Sequence, residues 1–494
     1  MKKQIALGLS ALLTASTLFG AIPAAAAEEE PYKMVMQVIT YGFDDPDLQQ
    51  VQDAVNELTI PEIGVEVEFM TTPIMEMATK LGLLVSGGQQ IDLVCAGLLN
   101  TPSNLVSQGL LQPITEYVEG SEALSSLAEG IIDACKVNGE IYAYPGSVAS
   151  ANQVTFFYDK DLADEYGIEV PEMIQTAEQW EELFTAVKES GMPQYGISLG
   201  DGVACEYEWT PFDSLGADQD LSYGVVMDSL NGDTVVNYYA TDEYKEKCKM
   251  HRDWFEKGYC VPDSISNGYT TTDSMTQGMI FGFVSNGGPS ISPAYFTKIT
   301  GKNIAAAPMA DILTKTSGVI NFSWGVSSSC ERPDKVVDFL EMLFTNTDLA
   351  NLLNYGIEGV HYSAPAEGSK IIGYPEGVDA MNCGYGSFIG SYGNILETYQ
   401  REPYTDEDIA GFVDFCYPNA PNSKFMGYTF DPSNVTTAQT AVAAVVGQYA
   451  PALECGTVDP EEMIPEFISA LEAAGMNEII AENQAQLDAW LAER

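Results

Sequence analysis

Tyr32-Lys33-Met34-Val35-Met36-Gln37-Val38-Ile39-Thr40-Tyr41-Gly42-Phe43 is the stretch on which the fold turns. It is apolar at odd and even positions alike, as a strand buried on both faces must be. Such strands sit in the middle of parallel sheets whose two faces are covered by helices. Just downstream, Asp45-Pro46 reads as an N-cap followed by a first-turn proline. A helix is predicted through Val51, Ala54, Val55 and Leu58. Ile63 to Thr71 alternates as a second strand. Pro73 to Val85 has helical spacing and is closed by Gly87-Gly88. Ile91 to Gly97 is a short third strand, and Thr101-Pro102 restarts a helix. Three strand–helix pairs in succession predict a parallel sheet with right-handed crossovers. No G-x-G-x-x-G follows the first strand, so a dinucleotide fingerprint is missing. Ligands of open parallel sheets sit at the carboxyl ends of the strands. Here those ends are Tyr41 to Asp45, Thr71 to Ile74, and Cys95 to Asn100.

Further along, Val137-Asn138-Gly139-Glu140 reads as a tight hairpin. Tyr144-Pro145-Gly146-Ser147 breaks regular structure, and a first lobe is expected to end near there. Val154 to Tyr158 and Tyr195 to Leu199 read as strands. Thr176 to Gln179 opens a helix with a capping box, and Asp242 to Lys257 is helical. Ile280 to Val284 and Val319 to Val326 are further strand expectations, and Ile304 to Ala310 is a candidate crossing back. Residues 357–430 are rich in Gly, Tyr, Pro and Asn and show weak periodicity. Strong helices return at Val435 to Tyr449, after Asp459-Pro460, and at Glu478 to Leu491.

Bulk properties bound the function. The 494 residues amount to about three domain units. Lys2 and Lys3, an apolar run from Ile5 to Phe19, and Ala24 to Ala27 form a cleavable export signal, with cleavage expected after Ala26 or Ala27. No cysteine lies in or just after it, so a cysteine-linked lipid anchor is not expected. The protein is expected to be periplasmic or extracellular. Acids outnumber bases 71 to 21, a formal charge of −50, spread along the chain. Such a surface repels phosphate backbones and disfavours nucleic-acid binding. It also gives a neutral or cationic solute a friendlier field than an anionic one. Nine cysteines without a C-x-x-C pair, and two histidines, lack zinc-type spacing. Buried free thiols are the expectation, with one or two disulfides as the alternative. No metal or cofactor is expected.

Several of these motifs together resemble a known family. They are Ile91-Asp92-Leu93-Val94, Val137 to Pro145, Phe157-Tyr158-Asp159-Lys160-Asp161-Leu162, Glu165-Tyr166-Gly167-Ile168 and Ala307-Pro308-Met309. In this order they resemble the family 1 extracellular solute-binding proteins of ABC importers. Trp324-Gly325-Val326-Ser327 and Asn354-Tyr355-Gly356-Ile357-Glu358-Gly359-Val360-His361-Tyr362 are similar to its LipO-like and LplA-like subgroup, which carries an extra C-terminal region. That subgroup is typically lipid-anchored, and this chain departs from it in lacking the cysteine. The resemblance implies an α/β, two-lobed periplasmic-binding-protein-like fold. Each lobe would be a mostly parallel sheet flanked by helices, built from discontinuous segments joined by a hinge. The implied division is a signal peptide over 1–27, lobe 1 over 28–145 and 306–350, and lobe 2 over 146–305 and 351–494. It also implies a monomeric, non-enzymatic receptor that captures a sugar or oligosaccharide between the lobes and delivers it to membrane permease subunits. Two rivals remain, a secreted carbohydrate-active enzyme and a binder of peptide or another small solute. No G-x-S-x-G occurs, and two histidines supply a triad poorly.

A sugar site needs flat aromatic faces and planar amides or carboxylates. The chain has 26 Tyr and 5 Trp, though aromatics are also core residues. Trp209, flanked by acids, and Trp324, at the end of a predicted strand, are the candidate platforms. Trp180, Trp254 and Trp490 have helical spacing and read as core. Tyr41, Asp44 and Asp45 follow the first strand and Asn100 the third. Asn152 lies at the lobe crossing and Asn286 in Ser285-Asn286-Gly287-Gly288. Tyr355, Glu358 and His361 belong to the subgroup motif, as ligand contacts or as supports of the hinge or cleft wall.

Overall fold

The computed structural model describes residues 30–40, 45–98, 100–147, 150–199, 212–216, 221–288, 291–379, 382–386, 392–415 and 420–494. The export segment and the candidate contacts Tyr41, Asp44 and Trp209 lie outside them. β1 (Tyr32–Thr40) is buried from Met34 onward. It runs parallel to β2 (Val65–Pro73), in register from Tyr32↔Val65 to Thr40↔Pro73, and parallel to β3 (Leu93–Gly97) on its other side. The crossovers carry α1 (Leu48–Ile63) and α2 (Met77–Ser86). α1 buries Val51, Val55 and Thr59, one residue per helical turn facing the sheet. Fully buried Asp92 accepts hydrogen bonds from the Tyr32 hydroxyl and the Val35 N–H, tying the approach to β3 onto β1.

β4 (Lys136–Val137) and β5 (Glu140–Ile141) form the expected hairpin. Asn138 and Gly139 both have positive φ, 51° and 83°, the geometry of a two-residue type I′ turn. β6 (Ala143–Pro145) then joins the first sheet, and the chain leaves it at Gly146.

β7 (Ala151–Asp159) is the spine of a second sheet. Around it lie α3 (Ala177–Glu189), α4 (Asp242–Lys257), β8 (Gly282–Gly287), α5 (Pro293–Thr300), β9 (Ile304–Pro308) and β10 (Leu313–Thr314). β8, β9 and β10 all pair with β7 antiparallel. The expected parallel character survives in this sheet as the bridges Tyr195–Ile280 and Ile197–Cys260. The reason is directional: β7 leads away from the lobe crossing, whereas β9 and β10 bring the chain back to it. Phe156, Trp180, Phe184 and Trp254 make one ring cluster behind the sheet, with centroid distances of 5.0 Å for Phe156–Trp180 and for Phe184–Trp254.

The candidate crossing at Ile304–Ala310 falls largely on β9, which is bonded along its length to β7. The chain returns later, through a short helix (Thr316–Ile320) in place of the first part of the expected strand. β11 (Phe322–Val326) then enters the first sheet antiparallel to β3 and β6, giving the order β2-β1-β3-β11-β6. α6 (Pro333–Thr345) and α7 (Thr347–Tyr355) cover that sheet through Phe339, Leu340, Leu343 and Leu349.

Residues 357–415 form a small, loop-rich layer. β12 (Ile371–Ile372) pairs with β13 (Gln400–Arg401), and α8 (Asp406–Phe415) contributes Ile409 and Phe412 to a minor core. The chain ends in α9 (Thr436–Glu454), α10 (Pro460–Ala474) and α11 (Met476–Ala492). Their core includes Phe467, Leu471 and Leu487 together with Phe212, Tyr238, Tyr239 and Tyr244 from the middle of the chain. The C-terminal helices therefore complete a layer begun some 200 residues earlier and do not stand as a separate unit.

Candidate functional site

Because β1, β2, β3 and β6 run in one direction, their carboxyl ends lie along a single edge of the first sheet, and antiparallel β11 begins there. The crossings after β6 and before β11 lie at this edge. They are packed too closely for side chains. The Gly146 N–H donates to the Phe322 carbonyl at 2.9 Å, and a Cβ on Gly146 would stand 2.5 Å from that oxygen and from the Phe322 ring. Gly97, at φ +134°, leaves no room either, since its Cβ would lie 2.4 Å from the Ile320 carbonyl. Glycine at these positions lets two chain segments touch the sheet edge and makes a narrow, defined hinge.

The second sheet meets this hinge with the start of β7 and the end of β8, where Val154 pairs with Asn286. Asn152 precedes Val154 by two and so shares its face. Both asparagines are half-buried, and neither amide hydrogen-bonds to a described residue. Each is a planar donor–acceptor group without a hydrogen bond to a described residue.

Other candidates have structural duties. Trp324 is fully buried and is not a platform in this structure, because β11 is an interior strand of the sheet. Its ring packs against Phe322 and Tyr392 at 5.1 and 5.5 Å. Half-buried Phe322, two residues earlier on the same strand face, packs against the core beside Gly146. Ring size favours the tryptophan in the sequence; position at the strand start is the signal that singles out the phenylalanine. Asn100 is buried, accepts from Asn104 Nδ2 at 2.7 Å and closes a turn onto Gly97, so it shapes the loop after β3. Asp45 does not cap α1. Its Oδ1 accepts the Gly386 N–H at 3.0 Å.

The motif residues divide in the same way. The Tyr355 hydroxyl donates to the Tyr399 carbonyl, and Glu358 is exposed on the turn that follows. His361 is fully buried. Its Nδ1 accepts the Ile357 N–H at 2.9 Å, which puts the ring proton on Nε2, 3.3 Å from Asp47 Oδ2. Asp47 in turn donates its N–H to the Gly384 carbonyl, and a Cβ on Gly384 would stand 2.0 Å from the Asp47 carboxylate. Asp47, His361 and Gly384 therefore form a clasp that fastens residues 354–386 to the first turn of α1. His361 is buried within this clasp. Below it, the Tyr385 hydroxyl donates to the Leu353 carbonyl at 2.8 Å, and burial pushes its pKa well above the ordinary phenol range.

The seven cysteines among the described residues are free thiols, six of them buried. Burial holds Cys260 and Cys330 up at about 12, where a thiolate nucleophile is not available. Among the described residues no group of His, Cys, Asp and Glu is arranged to hold a metal ion, and no helix is long and apolar enough to cross a membrane.

Two sheets joined by glycine-packed crossings suit the framework of a two-lobed binding protein. The bacterial extracellular solute-binding protein family matches residues 46–349. The chain belongs to that family. Residues 424–492 match a domain of unknown function. The chain is 26% identical over 477 residues to a carbohydrate ABC transporter substrate-binding protein of Streptococcus pneumoniae serotype 4, covering 94% of this chain and 92% of that protein. In fold it is similar to the N-glycan transport solute-binding protein NgtS of Streptococcus pneumoniae, with a TM-score of 0.81 at 23% identity over 93% of this chain and 99% of that one. It is also similar to a solute-binding protein from Bifidobacterium longum infantis described as HMO-binding, with a TM-score of 0.62 at 15% identity over 93% and 99% of the two chains. A solute-binding protein needs two lobes that move about a short hinge. In this member the crossing between the sheets is packed closely at Gly97, Gly146 and Phe322, and the Asp47–His361 clasp fastens the segment after α7 to the start of α1.

Proposed function

We propose that this solute-binding protein is the receptor of an ABC importer that captures an oligosaccharide between its two sheets. The observation that carries the reading is the pair of amides, Asn152 and Asn286, on one face at the hinge with no described protein partner. The half-buried Phe322 ring, at the start of β11 beside Gly146, is proposed to complete the site. Amides and a ring edge suit sugar hydroxyls and C–H faces. The carbohydrate and N-glycan descriptions of its relatives agree with this assignment. Tyr41, Asp44, Asp45, Glu358 and Trp209 complete the proposed ligand shell, with Asn100, Trp324, Tyr355 and His361 behind it.

NgtS in complex with Man1GlcNAc or Man5GlcNAc superposes less well on this chain, with TM-scores of 0.70 and 0.68 against 0.81. We infer a closure in which a solute touching both lobes favours the closed population. The sheet pairing favours a lobe 1 return near residue 315 and leaves α7 with lobe 1, against the division at 306 and 350. We further read the protein as exported by its first 27 residues, monomeric and without catalytic activity, and as a LipO-like or LplA-like member. A thermal-shift panel of oligosaccharides, amino acids and peptides tests the assignment. Stabilisation by oligosaccharides supports it. Stabilisation by peptides alone, or turnover of any sugar, overturns it.

A further inference from the structure

α3 and α4 pack together in the helix layer behind the second sheet, and a groove of about 1070 Å³ runs between them. Its apolar lining is Ala177 of α3 with Met250 and Trp254 of α4. Glu178, Glu181 and Glu182 line it from α3, and Glu243, Glu246 and Asp253 from α4. Helical spacing puts each set on one face of its helix. An acidic face is ordinary in a chain of charge −50, and two features set this one apart. First, the lysines of the groove are committed. Lys249 pairs with Glu246 at 3.3 Å and with Glu461 of α10 at 2.8 Å. Lys257 pairs with Asp253 at 2.6 Å and reaches from α4 to Glu181 on α3 at 2.9 Å. Lys247 is buried, and its charge is felt by Glu454. The exposed carboxylates Glu178, Glu182 and Glu243 are left without a cation among the described residues.

Second, Trp254 lines the groove at 3% exposure, and its indole N–H hydrogen-bonds to no described residue. Trp180, Phe184 and His251 hold the indole in place, at ring-centroid distances of 5.5, 5.0 and 5.0 Å. A buried donor without an acceptor carries a cost that an arriving carbonyl removes. The complement of this surface is a set of cations together with an acceptor for the indole. A polyamine supplies only the cations. A second copy of this chain brings the same charge of −50 and is repelled. A peptide with basic side chains supplies both, its main-chain carbonyl meeting Trp254. We propose that the groove between α3 and α4 is a docking site for a basic, extended segment of a partner protein. Neither Asn152 nor Asn286 lines it, so the inference stands apart from the sugar site.

Calorimetric titration of the full mature chain tests this with two probes of equal charge. One is a capped octapeptide alternating arginine and leucine, and the other is spermine. The peptide should bind one-to-one, about tenfold or more tighter than spermine, and more weakly as salt is added. E178Q/E182Q/E243Q should weaken the peptide about tenfold while leaving the melting temperature and oligosaccharide binding unchanged. W254F, which keeps a ring and removes the donor, should weaken the peptide and leave spermine binding as it was. E116Q/E119Q/E122Q removes three exposed acids of the first lobe and should change neither. Absence of peptide binding, or equal affinity for peptide and spermine, overturns the docking site. So does a loss in the E116Q/E119Q/E122Q variant as large as that in the groove variant. Each of these results leaves the carbohydrate receptor standing.

Discussion

His361 is one of two histidines in the chain, and the structure gives it a mechanical duty. Itself fully buried, it joins the Ile357 N–H to the partly exposed Asp47 carboxylate. H361A should lower stability by about 2 kcal/mol, since it empties a fully buried ring site and leaves the Ile357 N–H without its acceptor. G384A should act through the same clasp, because its methyl would meet the Asp47 carboxylate. Thermal melts of the free protein check both, and an unchanged melting temperature in either would dissolve the clasp. Asn152 and Asn286 make the opposite prediction. N152A and N286A should leave the free protein's melting temperature unaltered and weaken glycan binding by about 1 kcal/mol each, roughly fivefold in Kd, measured by titration. The contrast shows why the site is only partly readable from sequence. Residue type identifies groups able to bind a sugar, such as Trp324 and Asn100. Whether such a group is free depends on a tertiary fact, here that β11 is an interior strand and that Asn104 already occupies Asn100.

Elements were more legible than side chains wherever the pattern was local. β1 to β3, the Thr176–Gln179 capping box and the Asp459-Pro460 helix start all follow from short-range periodicity and capping chemistry. The direction of β11 and the antiparallel set around β7 depend on where the chain must return, which no local window contains. The C-terminal helices are the same kind of non-local feature. F467A removes a fully buried ring that packs on Tyr239 at 5.0 Å and on Tyr449 at 5.3 Å, and should cost about 3–5 kcal/mol in urea unfolding. A small cost would mean that α9 to α11 are an accessory and not part of the second core. The junction of α9 with α4 also titrates. Burial raises the Glu454 carboxyl to about 7, against smaller opposing effects of the Tyr244 hydroxyl and the Lys247 charge. The folded state thus holds a proton that the unfolded state releases near 4.5, so this group lowers stability as pH rises from about 4.5 to 7. His251, lowered to about 3 by burial and by Lys247, works in the other sense between 3 and 6.5. E454Q separates the two. Its gain over the parent should grow from pH 5 to pH 8, by at most about 3 kcal/mol. A pH-independent difference would contradict the assignment.

At the scale of the whole molecule, two sheets joined by glycine-packed crossings are proposed to close over a sugar. Charge and length exclude partners at this scale without selecting one. The gap itself comes from contacts between segments more than 150 residues apart, such as Gly146 with Phe322. Closure should reduce the radius of gyration and raise the melting temperature together. At a glycan concentration one hundred times Kd, linkage adds about 2.7 kcal/mol to the free energy of unfolding. The most direct test is small-angle scattering from the mature protein during titration with N-glycan-type oligosaccharides. The account predicts a saturable decrease in the radius of gyration that tracks one-to-one binding by an oligosaccharide. A radius that stays constant while every glycan fails to bind, or a decrease produced by peptides alone, would contradict it.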